Sequence, residues 1–316
     1  MNLKLLVRIS LILAILALVL SAYLRLDTFG IGCEPWPSCY GMIDSASNVS
    51  EESVIAGIPL ALVLQRALVC ALGLCVLFIL VLAWKRKRHQ RVCLALSGVT
   101  LLLIWIAFSP DSQYKPLTVM ADLMAGFLVL GLLAWLEFRF EPGSPNYTQT
   151  RVRQIRPVVL TALFFVGLQI TLGGLSSVNF AATACPSLPD CEGVWFPDAT
   201  IYSAVKLDKQ VVTASGKVAK GGFEQIAIHM AHRWGALLAS ITIIIAALTA
   251  IVATGETRKV AFLTLFILFI EIGLGVVPVI IAVPITLAVM HTVFAALLLL
   301  TLLKLLALSE VRWMPD

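Results

Sequence analysis

Eight apolar blocks, each about 20 residues long, divide this sequence and limit what it can fold into. A block of that length crosses the hydrocarbon core of a bilayer as one α-helix. A helix also satisfies its backbone hydrogen bonds within one segment, which the lipid interior requires. The sequence therefore predicts an all-α membrane protein with eight transmembrane helices. We place the spans at 5–24, 59–84, 92–109, 116–138, 157–178, 223–254, 260–281 and 285–308.

Composition excludes the main soluble alternatives. The 316 residues are 60% hydrophobic and only 13% charged, whereas a soluble domain is about half apolar and about a quarter charged. Disorder requires the opposite balance, with low hydrophobicity and high charge. The net charge is +5, and in a membrane protein the placement of Lys and Arg reports topology first. We therefore expect the lipid bilayer, and not nucleic acid, as the partner of this chain.

The positions of the cations predict the orientation in the membrane. Basic residues concentrate near the start of the chain and in the connections after spans two, four and six, while the other connections are poorer in them. Because cytoplasmic loops carry the excess of Lys and Arg, we expect both termini in the cytoplasm of a bacterium. Loops 25–55 and 179–222 then lie outside its inner membrane. The first span has a basic start like a signal peptide, but we expect it to be retained because the repeat described next needs it.

The two halves of the chain resemble each other. Three pairs of segments correspond: 33–41 with 185–193, 64–66 with 231–233 and 117–121 with 287–291. An even number of spans separates the corresponding segments, so both halves have the same orientation. Parallel duplications of this kind pack about a pseudo-twofold axis along the membrane normal. We predict two duplicated four-helix bundles, 1–140 and 157–316, joined by a cytoplasmic linker at 141–156.

Four of the seven cysteines form two C-x5-C pairs, Cys33 with Cys39 and Cys185 with Cys191, in loops expected outside the membrane. Close pairs can form disulfides in that oxidising compartment. Five intervening residues that include prolines allow the Cα separation that a disulfide requires. A structural disulfide and a redox-active pair both fit this pattern. Metal ligation fits less well, because neither loop contains a histidine.

Three of the four histidines lie within spans, His229 and His232 in the sixth and His291 in the eighth. Polar groups inside a membrane are costly, so they are candidates for function. His232 and His291 lie at similar depths below the outer ends of their spans. Imidazoles on two facing helices can bind one haem iron from both sides. The alternative is two separate buried histidines, each hydrogen-bonded to a neighbour.

Other polar residues in the spans are also candidates. His229 lies three residues before His232 and could be a spare ligand or, as we favour, a donor that supports a ligand. Arg233 follows directly and is a plausible partner for a haem propionate, and Arg66 is its counterpart in the first half. Asp122 in span four and Glu271 in span seven could contact protons or substrate, or could pair with residues of other helices.

Taken together, these motifs resemble the haem A synthase family, the cytochrome oxidase assembly proteins that oxidise haem O. The resemblance rests on loop 32–41, its counterpart 185–193, and the runs QITLGG at 169–174 and HMAHRW at 229–234. It covers nearly the whole chain. It implies hydroxylation of a methyl group of haem O, so that loss of water leaves the formyl group of haem A. It also implies haem b in the C-terminal half, with His232 and His291 as iron ligands.

The same resemblance implies partners. Haem O is the expected substrate, and the farnesyltransferase that produces haem O and the assembly of cytochrome oxidase are the expected biological context. The N-terminal half departs from the family pattern, however. The family typically carries a histidine pair there for the substrate haem and a glutamate one turn before the first histidine. Here Gln65 and Ala121 occupy the histidine positions, and Leu62 occupies the glutamate position.

This departure leaves the catalytic residues open. An amide ligates iron weakly and a methyl group does not ligate it. Asp122 adjoins Ala121, but a shift of one residue turns a helical side chain by about 100° around the axis. The candidate catalytic residues are therefore Gln65, Asp122 and Glu271.

Three functions are compatible with these observations. We favour a haem A synthase-type oxidoreductase that holds haem b in its C-terminal half and the substrate in its N-terminal half, through burial, Arg66 and Gln65. The alternative is a non-catalytic membrane protein that binds haem b for assembly or delivery, which the altered N-terminal half motivates. A cytochrome b-type electron-transfer subunit would need a second pair of intramembrane histidines, for which too few remain.

Overall fold

A computed structural model describes residues 3–27, 60–109, 116–139, 149–196, 223–253, 255–281 and 285–309. In those ranges the chain forms eight long α-helices, and each is long and apolar enough to cross a membrane. The prediction of an all-α protein with eight spans is therefore confirmed. The helices are α1 Leu3–Asp27, α2 Leu60–Lys85, α3 Gln90–Phe108, α4 Pro116–Arg139, α5 Gln149–Val178, α6 Phe223–Ile251, α7 Gly255–Ile280 and α8 Ile285–Leu308.

Two helices begin well before the predicted spans, for one physical reason. Helix α5 begins at Gln149, so Pro157 lies inside the helix and not at its start. Helix α7 begins at Gly255, so Arg258 and Lys259 lie within its first turns. The apolar run marks only the part of a helix that lies in hydrocarbon. A helix can continue into the polar interface, where cations are well solvated.

The helices pack in the same order in both halves. In the first half α1 contacts α2 and α4, and α3 contacts α2 and α4; in the second half α5 contacts α6 and α8, and α7 contacts α6 and α8. Each half has its own cluster of buried apolar side chains. The halves meet where α8 packs on α1 and α4 and where α4 packs on α5. The duplication of one ancestral bundle, and the domain limits drawn from it, stay predictions of the sequence.

Large apolar side chains also cover the outside of the molecule. Leu60, Phe164 and Phe269 are examples, with 81%, 68% and 77% of their surface exposed. A soluble monomer rarely exposes a contiguous apolar surface of this extent. In a membrane protein such side chains contact lipid tails, which are as apolar as leucine. The exposed surface and the helix lengths therefore agree on an integral membrane protein.

A pair of glycines sets how closely α5 approaches its neighbours. A Cβ at Gly174 would lie 2.5 Å from the sulfur of Met120 on α4. A Cβ at Gly173 would lie 3.2 Å from Cε1 of His232 on α6. Since real Cβ atoms essentially never come as close as 2.5 Å, only glycine fits at 174 without displacing Met120. The two glycines thus let α5 pack closely against α4 in the first half and against α6, beside His232, in the second half.

Candidate haem site

Two imidazoles face each other inside the C-terminal half. His232 lies on α6 and His291 on α8, which stand diagonally in the ring of four helices because α5 and α7 each contact both. The ring centroids are 6.5 Å apart, and the ring planes are nearly perpendicular at 83°. The structure therefore brings together the two histidines that the sequence selected.

This separation fits two ligands of one metal ion. A bond from an imidazole nitrogen to a metal is about 2 Å long. Two such bonds on opposite sides of one ion place the ring centres about 6–7 Å apart. The side chain of His291 is 33% accessible, so there is room beside the imidazole. The donor set and its spacing would suit one iron held between His232 and His291.

Two glycines let the imidazoles pack closely against neighbouring helices. On α5, a Cβ at Gly173 would lie 3.2 Å from Cε1 of His232. On α7, a Cβ at Gly275 would lie 3.4 Å from Cε1 of His291. Each imidazole therefore lies against the backbone of an adjacent helix at these positions.

Each imidazole has one polar partner from an adjacent helix. Nδ1 of His291 lies 3.2 Å from Oε1 of Glu271 on α7. Nε2 of Gln169, on α5, lies 3.0 Å from Nδ1 and 3.3 Å from Nε2 of His232. Glu271 is among the candidate residues predicted from the sequence, whereas Gln169 is not. Its signal was present, since Gln169 is an uncharged polar residue in the middle of an apolar span.

Polar atoms at this site are incompletely bonded. Among the described residues, Oε1 of Gln169, Oε2 of Glu271 and Nδ1 of His291 are buried and have no partner with hydrogen-bond geometry. The His291–Glu271 contact is therefore close enough for an ion pair but not aligned as a hydrogen bond. Buried polar atoms without partners are uncommon and cluster at functional sites. Three of them lie around the two imidazoles, which makes this place a candidate functional site.

A short loop that follows α5 lies against the N-terminal part of α6. The sulfur atoms of Cys185 and Cys191 lie within disulfide distance. Arg233 donates hydrogen bonds from its Nη1 and Nη2 atoms to the carbonyl oxygens of Cys185, Ser187, Pro189 and Asp190, at 2.8–3.2 Å. The residue that directly follows His232 thus holds the cysteine loop against the helix. A propionate partnership for Arg233 stays a prediction.

His229 also contacts the segment that follows α5. Its Nδ1 donates to the carbonyl oxygen of Ala181, at 2.7 Å, just beyond the end of α5. Trp234 stacks on Phe196 with ring centroids 5.5 Å apart. His229 therefore connects α6 to the segment after α5, and its hydrogen bond is to backbone rather than to His232 or His291. Its role as a donor that supports an iron ligand stays a prediction.

The family of the chain follows from comparison with known proteins. Residues 4–303 match the model of the COX15-CtaA family, described as cytochrome oxidase assembly protein. The Heme A synthase of Shewanella oneidensis is 32% identical over 315 residues, which span 96% of this chain and 95% of that protein. This chain belongs to the haem A synthase family. The resemblance inferred from its motifs is therefore confirmed.

In this family member, the N-terminal half differs from the candidate haem site in its polar side chains and their contacts. Gln65, on α2, is buried, with 7% of its surface exposed. Nε of Arg66 donates to the carbonyl oxygen of Ala107 at 2.9 Å, and its guanidinium lies over the ring of Phe108. The N-terminal half, which carries Gln65, thus holds Arg66 through one backbone carbonyl and one aromatic ring.

Asp122 belongs to a separate polar group in this half. The hydroxyl of Ser21, on α1, donates to its carboxylate. Arg25, also on α1, lies within electrostatic range of it. Asp122 therefore pairs across helices, one of the two roles expected for it. Cys33 and Cys39 lie outside the described residues.

Proposed function

We propose that this chain oxidises the methyl group of haem O toward the formyl group of haem A, for the assembly of cytochrome oxidase. Support comes from a family match over residues 4–303 and from the relative named Heme A synthase. The observation that carries the proposal is the pair His232 and His291, at 6.5 Å between ring centroids. The family relation favours this function over a protein that only carries haem.

The C-terminal half is proposed to bind haem b. His232 and His291 supply two ligands, and no group of three or more His, Cys, Asp or Glu side chains that could hold a metal ion occurs in the described residues. An iron bound here would need its remaining ligands from a macrocycle. When bound, a haem with two histidine ligands supplies one-electron redox chemistry at its iron.

The protein itself contributes orientation and exclusion of water. Four helices surround the two imidazoles, and Arg233 holds the loop with Cys185 and Cys191 over the outer end of α6. Electrostatic interactions strengthen when water is excluded from a site. The Cα atoms of Cys185 and Cys191 lie 5.0 Å apart, which suits a structural disulfide. Peptide mapping without reductant would test this pairing together with Cys33–Cys39.

The N-terminal half is proposed to hold the substrate haem. Gln65 is buried on α2, and Arg66 lies one residue further along the same helix. A substrate must leave after reaction, so strong iron ligation is not required there. Burial of the porphyrin and contacts to these two side chains would replace the histidine pair that other family members use.

The proposed location is the bacterial inner membrane with both termini in the cytoplasm. The cations at 85–91 and near the start of the chain support it through the positive-inside rule. A reporter that is active only outside the inner membrane tests it when fused after α3 or after α8. We expect activity only from the fusion after α3, because α8 returns the chain to the cytoplasm. Activity from the fusion after α8 would contradict the orientation.

Complementation tests the proposed function. A bacterium that makes haem O but lacks its own haem A synthase receives this chain, and the membrane pigments are extracted and identified by mass. We expect haem A to appear, and we expect the His232→Ala variant to leave haem O unchanged. Haem O that stays unchanged with the unmodified, membrane-inserted chain would contradict the oxidation and favour a haem-carrying assembly protein.

A further inference from the structure

The two facing histidines have chemically different partners. His291 faces a carboxyl group, Glu271, from α7, whereas His232 faces a neutral amide, Gln169, from α5. The four helices of the C-terminal half thus contribute one group each, as two ligand–partner pairs. We propose that Glu271 and Gln169 are positioning residues that fix the two imidazoles and make them unequal iron ligands. This inference rests on the haem site proposed above.

Geometry assigns which nitrogen of His291 is left for iron. The atom next to Glu271 is Nδ1, so Nε2 is the free ring nitrogen. Histidines that bind metals commonly donate their other ring N–H to a carboxylate or carbonyl, which fixes the tautomer and the ring orientation. A small rotation of the carboxyl group would align it with Nδ1, which has no aligned partner among the described residues. Glu271 is placed for this role.

Gln169 is placed for the same role on the other ring. Its Nε2 is near both nitrogens of His232, while its Oε1 is buried without a partner in the described part of the chain. A half-turn of the amide would place Oε1 beside the ring, and a rotation of the imidazole would then let Nδ1 donate to it and leave Nε2 of His232 for iron. The two movements together would satisfy the unpaired oxygen.

Close packing against α6 holds the amide of Gln169 in position. A Cβ at Gly235 would lie 2.5 Å from Oε1 of Gln169. Gly235 is three residues after His232 and lies on the same face of α6. The amide therefore sits directly against the backbone of the helix that carries the ligand. Any side chain at 235 would push the amide away from His232.

The difference between a carboxyl group and an amide has an electronic consequence. A carboxylate is the stronger hydrogen-bond acceptor and raises the basicity of the imidazole that donates to it. A more basic ligand stabilises the ferric iron relative to the ferrous iron. Hydrogen bonding around the ligands is one of the levers by which a protein sets haem potential. His291 should therefore be the more electron-donating ligand, and Glu271 should lower the midpoint potential.

Redox titration of the haem in the purified full-length chain tests this inference. Three variants are compared with the unmodified chain: Glu271→Gln, Gln169→Glu and the control Glu137→Gln. Glu137 is a buried carboxylate on α4 that binds Arg8 at 2.7 Å and belongs to the other half. The readouts are the midpoint potential, the electron paramagnetic resonance spectrum of the ferric low-spin haem and the haem content.

We expect Glu271→Gln to raise the midpoint potential and Gln169→Glu to lower it, each with a shifted resonance spectrum. Glu137→Gln should change neither. Haem that is bound at the unmodified potential in both site variants would overturn the inference. If Glu271→Gln fails to hold haem, Gln169→Glu still decides, because an unchanged potential there contradicts the proposal. Absence of haem from the unmodified chain would instead overturn the proposed haem site.

Discussion

The two halves of this molecule share one packing order but differ in what they hold at the centre. In the C-terminal half two histidines on diagonal helices face each other at 6.5 Å. In the N-terminal half the corresponding positions of the sequence carry Gln65 and Ala121. The helices pack in the same order in each half, although only the C-terminal half has two intramembrane histidines that face each other. The arrangement of helices is therefore set by apolar packing, while a few polar side chains decide what each half can bind.

The largest effect on haem binding is expected when either histidine is replaced. His232→Ala and His291→Ala should each abolish the low-spin haem spectrum, because one imidazole alone cannot provide both axial bonds. Gln65→Ala, the matched change in the other half, should leave that spectrum intact. Absorption spectra of the purified variants measure this. A normal haem b spectrum in both histidine variants would contradict the ligand assignment.

Adding two histidines to the N-terminal half tests whether that half can also bind haem. The double variant Gln65→His with Ala121→His places an imidazole on α2 and on α4, the diagonal helices of the first half. If the halves are duplicates, a second low-spin haem should bind when haem is supplied. Haem and protein assays give the ratio per chain. An unchanged ratio in a folded double variant would show that the first half lacks the space that the second half keeps.

The two arginines give the next effect in size. Arg233 donates to four carbonyl oxygens of the cysteine loop, whereas Arg66 donates to one at Ala107. Hydrogen bonds to a charged group are worth about 1.5–3 kcal/mol. We expect Arg233→Ala to lower the free energy of unfolding by about 3 kcal/mol and Arg66→Ala by about 1.5 kcal/mol. Denaturation in detergent measures both, and equal losses would contradict the anchoring role of Arg233.

The smallest expected effect concerns the space beside His232. Gly173→Ala adds a Cβ that would lie 3.2 Å from Cε1 of His232, whereas Gly167→Ala on the same helix meets nothing within 4 Å. Changes in the groups around metal ligands cost about 10–100-fold in affinity. We expect haem to dissociate about 10-fold faster or more from the first variant. Transfer of haem to an acceptor protein follows the rate, and identical rates in both variants would remove Gly173 from the site.

The sequence predicts the fold well because span length and apolar content are properties of each segment by itself. It misses helix ends such as Gln149 because polar residues beyond the hydrocarbon carry no apolar signal. The histidines His232 and His291 could be paired because depth in a membrane can be counted along each helix. Their meeting at one site requires that α6 and α8 face inward, which the structure shows.

The partners of the histidines could not be assigned in the same way. Gln169 and Gly173 are on α5, and which face of α5 meets α6 depends on rotation about the helix axis. The pattern of apolar residues fixes that rotation poorly in a membrane, because lipid-facing and protein-facing positions are both apolar. The contacts of Arg233 were also out of reach, since backbone carbonyls leave no mark in a sequence. The structure adds the loop contacts of Arg233, and its contact with a haem propionate stays a prediction.

The oxidation of haem O by a chain with Gln65 and Ala121 in its N-terminal half can be measured on the purified protein. The protein receives haem O, an electron donor and air, and the extracted pigments are identified by mass. We expect haem b together with hydroxylated haem O or haem A, and no such product from His291→Ala. Haem b alone, with haem O recovered unchanged, would contradict the proposed oxidation.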